Sequence, residues 1–249
     1  MILHIFTSKI IFMKKPVLLF LFSLFVLTAY SQNTDSLAIR EIFNNSLTNR
    51  DAYNNLEYLC DKASGRLIGS ETSIIAIDYL KVYAEKIGVD TVFLQEFISP
   101  AWKQNAASLK IKSGKSNLSI PCDALGPSPS TTPGGFTAEI IEVKSLNEVE
   151  QLGEDKINGK IVFYNRPWDH LTINTFAGYG HTVDQRSRGP AMAAKYGAVG
   201  VIVRSAGSDY DHFPHTGSTR YEDRKIPAVA ISAIDADILS QNLKENPGT

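Results

Sequence analysis

The sequence predicts a mixed α/β (α+β) protein, and three observations carry that prediction. Downstream of residue 136, short β-branched apolar runs alternate with stretches of helical periodicity, the pattern of an α/β or α+β unit. Upstream, amphipathic helical stretches lead into alternating, strand-like segments. The 249 residues are 43% apolar and 20% charged, a globular composition rather than a disordered or all-membrane one. The formal net charge of −1 disfavours binding to nucleic acid through a strongly basic surface.

Residues 13–31 have the three parts of a secretory signal. Lys14 and Lys15 form a short basic start, Pro16 to Leu27 an apolar stretch, and Ala29 and Ser31 a small-residue cleavage site. Cleavage is expected between Ser31 and Gln32. The apolar stretch falls short of the about 20 residues that span a bilayer, so no stable membrane span is expected after cleavage. Residues 1–12 read as an extension upstream of a start at Met13. The signal predicts a secreted or periplasmic protein. Removing residues 1–31 takes away three lysines and no acids, which leaves a net −4 and argues further against polyanions. Cys60 and Cys122 are the two cysteines; one bridge or two free thiols both fit, and neither cysteine sits where a lipid-modified residue would.

Ile39, Ile42, Phe43, Leu47, Leu56 and Leu59 predict one or two amphipathic helices over 36–60. Lys62 to Gly69 is a glycine-punctuated loop. Ser70 caps the next helix, Glu71 favours its first turn, and Ile74, Ile77, Leu80, Ala84 and Ile87 keep one face apolar until Gly88 ends it. Thr91 to Ile98 alternates like a strand. Leu109 to Ile120 reads as a β-hairpin turning at Ser113-Gly-Lys-Ser116. Residues 125–135 hold three prolines and three glycines, which excludes helix and strand alike.

Phe136 to Val143 reads as a strand, and Ser145-Leu-Asn-Glu148 as a capping box opening a short helix. Gly159 to Tyr164 is a buried strand. Pro190 to Tyr196 is a helix ended by Gly197, and Val199 to Arg204 and Ile226 to Ile231 are further buried strands. Ser232 caps a last helix with Ile234, Ile238, Leu239 and Leu243 on one side.

Few motifs carry chemistry. There is no Gly-x-Ser-x-Gly and no His-Glu-x-x-His, and Gly114-Lys115-Ser116 lacks the upstream glycine of a phosphate loop because Leu109 stands there. Asp209, Asp211, His212 and His215 gather two carboxylates and two imidazoles in seven residues, the donor types of a metal or acid/base site. A polar loop between strands explains them as well. Within that loop His215 is the candidate for facing a substrate cleft. His181, Asp184, Arg186 and Arg188 read as a solvated loop and helix start, and Trp102 and Trp168 as packing residues. Asn44 and Asn117 begin Asn-x-Ser triplets, glycosylation acceptors if the source glycosylates.

Four runs resemble the protease-associated domain of secreted zinc exopeptidases, of the carboxypeptidase Q-like family. They are Gly159-Lys-Ile-Val-Phe-Tyr-Asn-Arg-Pro167, Arg188-Gly-Pro-Ala-Met-Ala-Ala-Lys-Tyr-Gly-Ala-Val-Gly-Val-Ile-Val-Arg-Ser205, Pro214-His-Thr-Gly217 and Lys225-Ile-Pro-Ala-Val-Ala-Ile-Ser232. Gly65-Arg-Leu-Ile-Gly-Ser70 with the helix that follows, Leu125-Gly126 and Thr137-Ala-Glu139-Ile140 resemble the start of that family's peptidase domain. Arg66, inside the first of these, is the second substrate-cleft candidate.

The resemblance implies an inserted protease-associated domain with a small sheet flanked by helices at 121–249, an N-terminal portion of the peptidase domain at 32–120, and the catalytic zinc domain downstream. It implies a zinc-dependent exopeptidase acting on dipeptides or short peptides, with two zinc ions in the parent protein and a homodimer as the assembly to test. The family's ligands begin with His-x-Asp. None of His170, His181, His212 and His215 stands in that arrangement, so no catalytic or metal-ligating residue is expected in these 249 residues. The expectation is an N-terminal fragment that binds no zinc and hydrolyses nothing by itself. The alternative is a stand-alone protein- or peptide-binding module.

Overall fold

The computed structural model describes residues 34–113 and 116–248, so the signal segment with Ser31 and Gln32, and the hairpin tip, lie outside the described residues. The chain divides into two compact units at Ser99 and Pro100. The second unit begins ahead of the boundary expected at 121 and includes the hairpin.

In the first unit, helix α1 covers 34–48, α2 Asp51–Lys62 and α3 Glu71–Lys86. Ser70 caps α3 by accepting from the Ser73 N–H at 3.1 Å. At its other end Gly88 takes φ +83°, where a side chain would be strained. The Gly88 N–H reaches Glu85 O and the Val89 N–H reaches Ala84 O, the paired bonds of a Schellman cap. Tyr58 stacks on Tyr79 at 3.9 Å between centroids and joins α2 to α3. The apolar positions Ile74, Ile77, Leu80 and Ile87 are exposed. Thr91 to Ile98 forms no strand, contrary to its alternation, and Phe93, Phe97 and Ile98 are exposed. A strand needs a ladder partner for its backbone groups, and among the described residues this segment has none.

The second unit is a three-layer sandwich. Strands β1 Leu109–Ser113 and β2 Ser116–Ile120 form the antiparallel hairpin, with Leu109 opposite Ile120. The main sheet contains β3 Cys122–Ala124, β4 Ile140–Val143, β5 Ile161–Tyr164, β6 Gly200–Arg204 and β7 Ala228–Ile231 in the order β3-β7-β6-β5-β4. The strands β4 to β7 are parallel and β3 is an antiparallel edge. Side chains sort by the period of two. Val162, Tyr164, Val201, Val203, Ala228 and Ala230 face one layer, while Phe163, Ile202 and Ile231 face the other.

The first layer is made by α4 Leu146–Ile157 and α7 Gly189–Lys195, whose Val149, Ile157, Ala193 and Ala194 are buried there. The opposite layer is the hairpin, through Ile111 and Ile120, together with α8 Ala233–Glu245, through Ala236 and Leu239. Both faces of the parallel sheet are thereby covered, as near-continuous apolar strands require. The mixed α/β expectation therefore holds.

Four local readings change. Strand β4 starts at Ile140 rather than Phe136, because its ladder with β5 begins at Ile140 opposite Ile161. Residues 181–188 are not a solvated loop: α5 Thr175–Thr182, capped by Asn174, and α6 Asp184–Ser187 run through them, and Gln185 is fully buried. Helix α8 turns Ala236, Leu239 and Ser240 inward and leaves Ile238 exposed, since Ser240 donates to Glu142 across the layer at 2.8 Å. Helix α4 is interrupted at Gly153, which leaves helical geometry at φ +63°.

Trp102 packs on Gly126 and Trp168 on Gly178, as packing residues. Tyr164 is fully buried; its hydroxyl donates to Gly189 O at 2.9 Å, and burial pushes its phenol well above the usual range. A Cβ at Gly189 would lie 2.8 Å from that ring, so only glycine admits the helix this close. Both cysteines are free. Burial, with the charge of Asp123, raises the Cys122 thiol to about 11 and makes it unreactive.

Candidate functional site

The carboxyl ends of the parallel strands are where an open α/β sheet presents its loops. Strand β6 ends at Arg204, and the chain from Ser205 to β7 crosses this edge as a long loop holding Asp209, Asp211, His212 and His215. The loop is tied down at several points. The Ser205 hydroxyl donates to Ile231 O at 2.7 Å and accepts the His215 N–H at 2.8 Å. The Thr216 hydroxyl donates to Ala124 O at 2.6 Å, and Gly126 bridges to Ser218.

This anchoring fixes the main chain of His215 but does not gather the imidazoles. His215 Nε2 lies 3.6 Å from Asp211 Oδ2. His212 Nδ1 lies 3.5 Å from a different carboxylate, Asp235 Oδ1, in the first turn of α8. Asp211 is further engaged by the Phe213 N–H at 3.0 Å, and Asp235 by the buried Ser232 hydroxyl. Each imidazole thus has its own carboxylate and shares no common point. Among the described residues, no three His, Cys, Asp or Glu side chains converge as a metal site, and zinc does not fit this donor set.

Arg66 lies in the first unit, where its Nη1 donates to Leu59 O at 2.5 Å and Ala63 O at 2.9 Å. It closes the carboxyl end of α2, a capping role that the glycine-rich surroundings did not suggest. His215 lies in the other unit.

The most connected polar group at the sheet edge was absent from the sequence reading. Arg204 pairs with Asp237 of α8 at 2.6 and 3.4 Å and donates to Asn165 Oδ1 at 3.1 Å. Asn165 donates in turn to Glu142 at 2.7 Å. Lys144 and Ser240 also donate to Glu142, at 2.5 and 2.8 Å. One residue from each of β4, the end of β5 and β6 is therefore locked to α8. The available signal was a polar residue closing an otherwise apolar strand, Asn165 after Ile161–Tyr164 and Arg204 after Val203.

Burial alone would raise the Glu142 carboxyl. Hydrogen bonds from Lys144, Asn165 and Ser240, with the Lys144 charge, outweigh it and hold the group below the usual carboxylate range. Asp237 follows the same logic: burial opposes, and Arg204 and then the Tyr210 hydroxyl lower it. Both carboxylates are ionised and saturated with donors, so neither is poised as a general acid or base. An open cavity of about 390 Å³ adjoins Asp237, lined also by Tyr210, Ile238, Gln241 and Glu245 among others. The edge is chemically a rigid polar clamp.

No family model matches the chain. Carboxypeptidase Q of Mus musculus is 32% identical over 192 residues, and that of Homo sapiens 33%; each alignment covers 76% of this chain and 39% of the relative. The crystal structure of a peptidase M28 precursor from Shewanella amazonensis SB2B superposes with a TM-score of 0.80 at 32% identity, covering 86% of this chain and 48% of that one. BSAP, a zinc aminopeptidase from Bacillus subtilis, superposes at 0.50 with 20% identity over 77% of this chain and 41% of its own, a likeness of fold alone. The chain is thus similar in sequence to carboxypeptidase Q and in fold to a peptidase M28 protein, and it spans 39% of the length of the carboxypeptidase Q relatives it matches.

Proposed function

We propose that these residues are the N-terminal portion of a secreted zinc-dependent exopeptidase acting on dipeptides or short peptides, and that they supply its protease-associated domain rather than its catalytic zinc centre. The observation that carries the reading is the 32% identity to carboxypeptidase Q over 192 residues. In this reading the zinc ligands are contributed by residues other than these 249, and His215 and Arg66 bear on substrate only through the whole protein.

The exposed face of Ile74, Ile77, Leu80 and Ile87 supports an incomplete first unit. Among the described residues no helix is long and apolar enough to cross a membrane. Export follows from residues 13–31, and mass spectrometry of the exported protein should find Gln32 first.

The enzymatic test has two arms. The purified 249-residue chain, supplied with zinc, should hydrolyse no dipeptide, and the gene read past codon 249 should encode a His-x-Asp segment in a further peptidase domain. Zinc-dependent hydrolysis by the chain itself would refute the division of labour. A stop codon there would favour the stand-alone binding module, a reading that the self-contained core of residues 100–249 also accommodates.

A further inference from the structure

Helix α8 also turns a face outward, and that face walls the open cavity of about 390 Å³ beside Asp237. Asp237, Ile238, Gln241, Asn242 and Glu245 follow the three- and four-residue spacing of one helix side. Tyr210, from the loop between β6 and β7, joins them in lining the cavity. The volume falls within the about 300–1,000 Å³ of small-ligand sites.

The lining is one-sided in its chemistry. Ile238 and the ring of Tyr210, both exposed, give it an apolar wall. Among the described residues, no lysine, arginine or histidine lines it. Its polar groups present acceptors. Against the effect of burial, Arg204 and the Tyr210 hydroxyl keep Asp237 ionised, and Arg204 answers its charge. Glu245 accepts from Gln241 Nε2 at 2.7 Å, and among the described residues no cation pairs with it. Asn242 Oδ1 is buried and has no donor among the described residues. A buried acceptor in that state is destabilising until a donor reaches it. Glu245 moreover ends α8, where the last backbone carbonyls already concentrate negative potential that a cation relieves. Lys244, the basic residue of that turn, does not line the cavity.

We propose that this cavity binds a guanidinium group, carried as an arginine side chain by a peptide or protein segment. The aliphatic stem covers Ile238, the planar fork of donors answers Glu245 and Asn242 Oδ1, and the flat cation stacks on the Tyr210 ring. An ammonium brings a point charge without the flat face, and suits the same set less well. The cavity is open, so its occupant keeps part of itself outside, as a side chain projecting from a backbone does. The site does not depend on the peptidase reading, and no covalent step is involved.

The test titrates the full chain with the blocked peptide acetyl-Gly-Arg-Gly-amide and follows the Asn242 side-chain amide and the Tyr210 ring by NMR. The same peptide with citrulline, a neutral isostere of arginine, and with lysine are the controls. The arginine peptide should shift both sets of resonances saturably, the lysine peptide should bind more weakly, and the citrulline peptide should give no saturable shift. Glu245→Gln and Tyr210→Leu, both at exposed side chains, should each weaken binding about threefold, the size of one exposed ionic or cation–π contact, and together about tenfold. The Asn242 amide reports in every variant. No saturable response to the arginine peptide, equal binding of the citrulline or lysine peptide, or an unweakened response in the double variant would each overturn the assignment.

Discussion

Replacing Asp237 by Ala isolates the clamp at the sheet edge. The Arg204 side chain is 8% exposed and would keep only the neutral Asn165 oxygen as acceptor. Removing one partner of a fully buried ion pair costs about 3–5 kcal/mol, because the other charge stays buried and unpaired. Here Asp237 is 49% exposed, so water already screens the pair and replaces part of what is lost. The discounted cost is about 1–2 kcal/mol.

For a unit of this size that is a fall in Tm of about 2–8 °C. Trp102 and Trp168, the two tryptophans, both lie in the second unit, so thermal unfolding followed by tryptophan fluorescence reports on that unit. The pH dependence gives the sign. Arg204 holds the folded Asp237 carboxyl below its unfolded value. Its contribution is then fully present above the ordinary carboxylate range, about pH 4, and is lost as the pH falls through the lower folded value. Wild type and Asp237→Ala should differ most at neutral pH and converge in acid. Adding Arg204→Met should recover part of the loss, since no buried charge remains. An unchanged Tm at neutral pH, or a difference that persists undiminished in acid, would refute the assignment.

Three further outcomes are expected. Phe163→Ala empties the centre of the layer under the hairpin and α8, where Phe163 is fully buried, and should cost about 3–5 kcal/mol by denaturant titration. Ser145→Ala removes the acceptor of the Glu148 N–H at 3.1 Å and should cost about 1 kcal/mol by the same measurement, with a larger effect pointing to a role beyond capping. Ile77→Glu, on the exposed face of α3, should leave stability within about 0.5 kcal/mol while reducing concentration-dependent association in light scattering; a large destabilisation would mean that the face is already covered.

The second unit was legible because its signals are local. A buried parallel strand is an uninterrupted apolar run, and Ile161–Tyr164, Gly200–Arg204 and Ala228–Ile231 all read that way. Ser145 and Ser232, like Ser70 in the first unit, announced helices by capping chemistry that needs no tertiary context, and each side chain accepts the N–H expected of it. Helices α5 and α6 were missed for the opposite reason. Their sequence mixes glycines, threonines and charges without an apolar stripe, and Gln185, fully buried, marks the inner face with a polar residue. Thr91 to Ile98 failed in the other direction: alternation states that a segment can be a strand, and only a neighbouring strand makes it one.

The site residues divide along the same line. His212 and His215 attracted attention because imidazoles and carboxylates crowd one short loop, yet adjacency in sequence does not decide which carboxylate an imidazole meets. His215 keeps its loop neighbour Asp211, while His212 turns to Asp235, which enters from α8. The polar groups that do work together, Glu142, Asn165, Arg204 and Asp237, come from three strands and a helix spread over 96 residues, and no window along the chain contains them. What joins them is topology. Strands laid parallel in sequence order end at one edge, so the last residue of each arrives beside the last residue of the next. A polar residue closing an apolar parallel strand is therefore the sequence signal to search for, ahead of clusters of His and Asp within a loop.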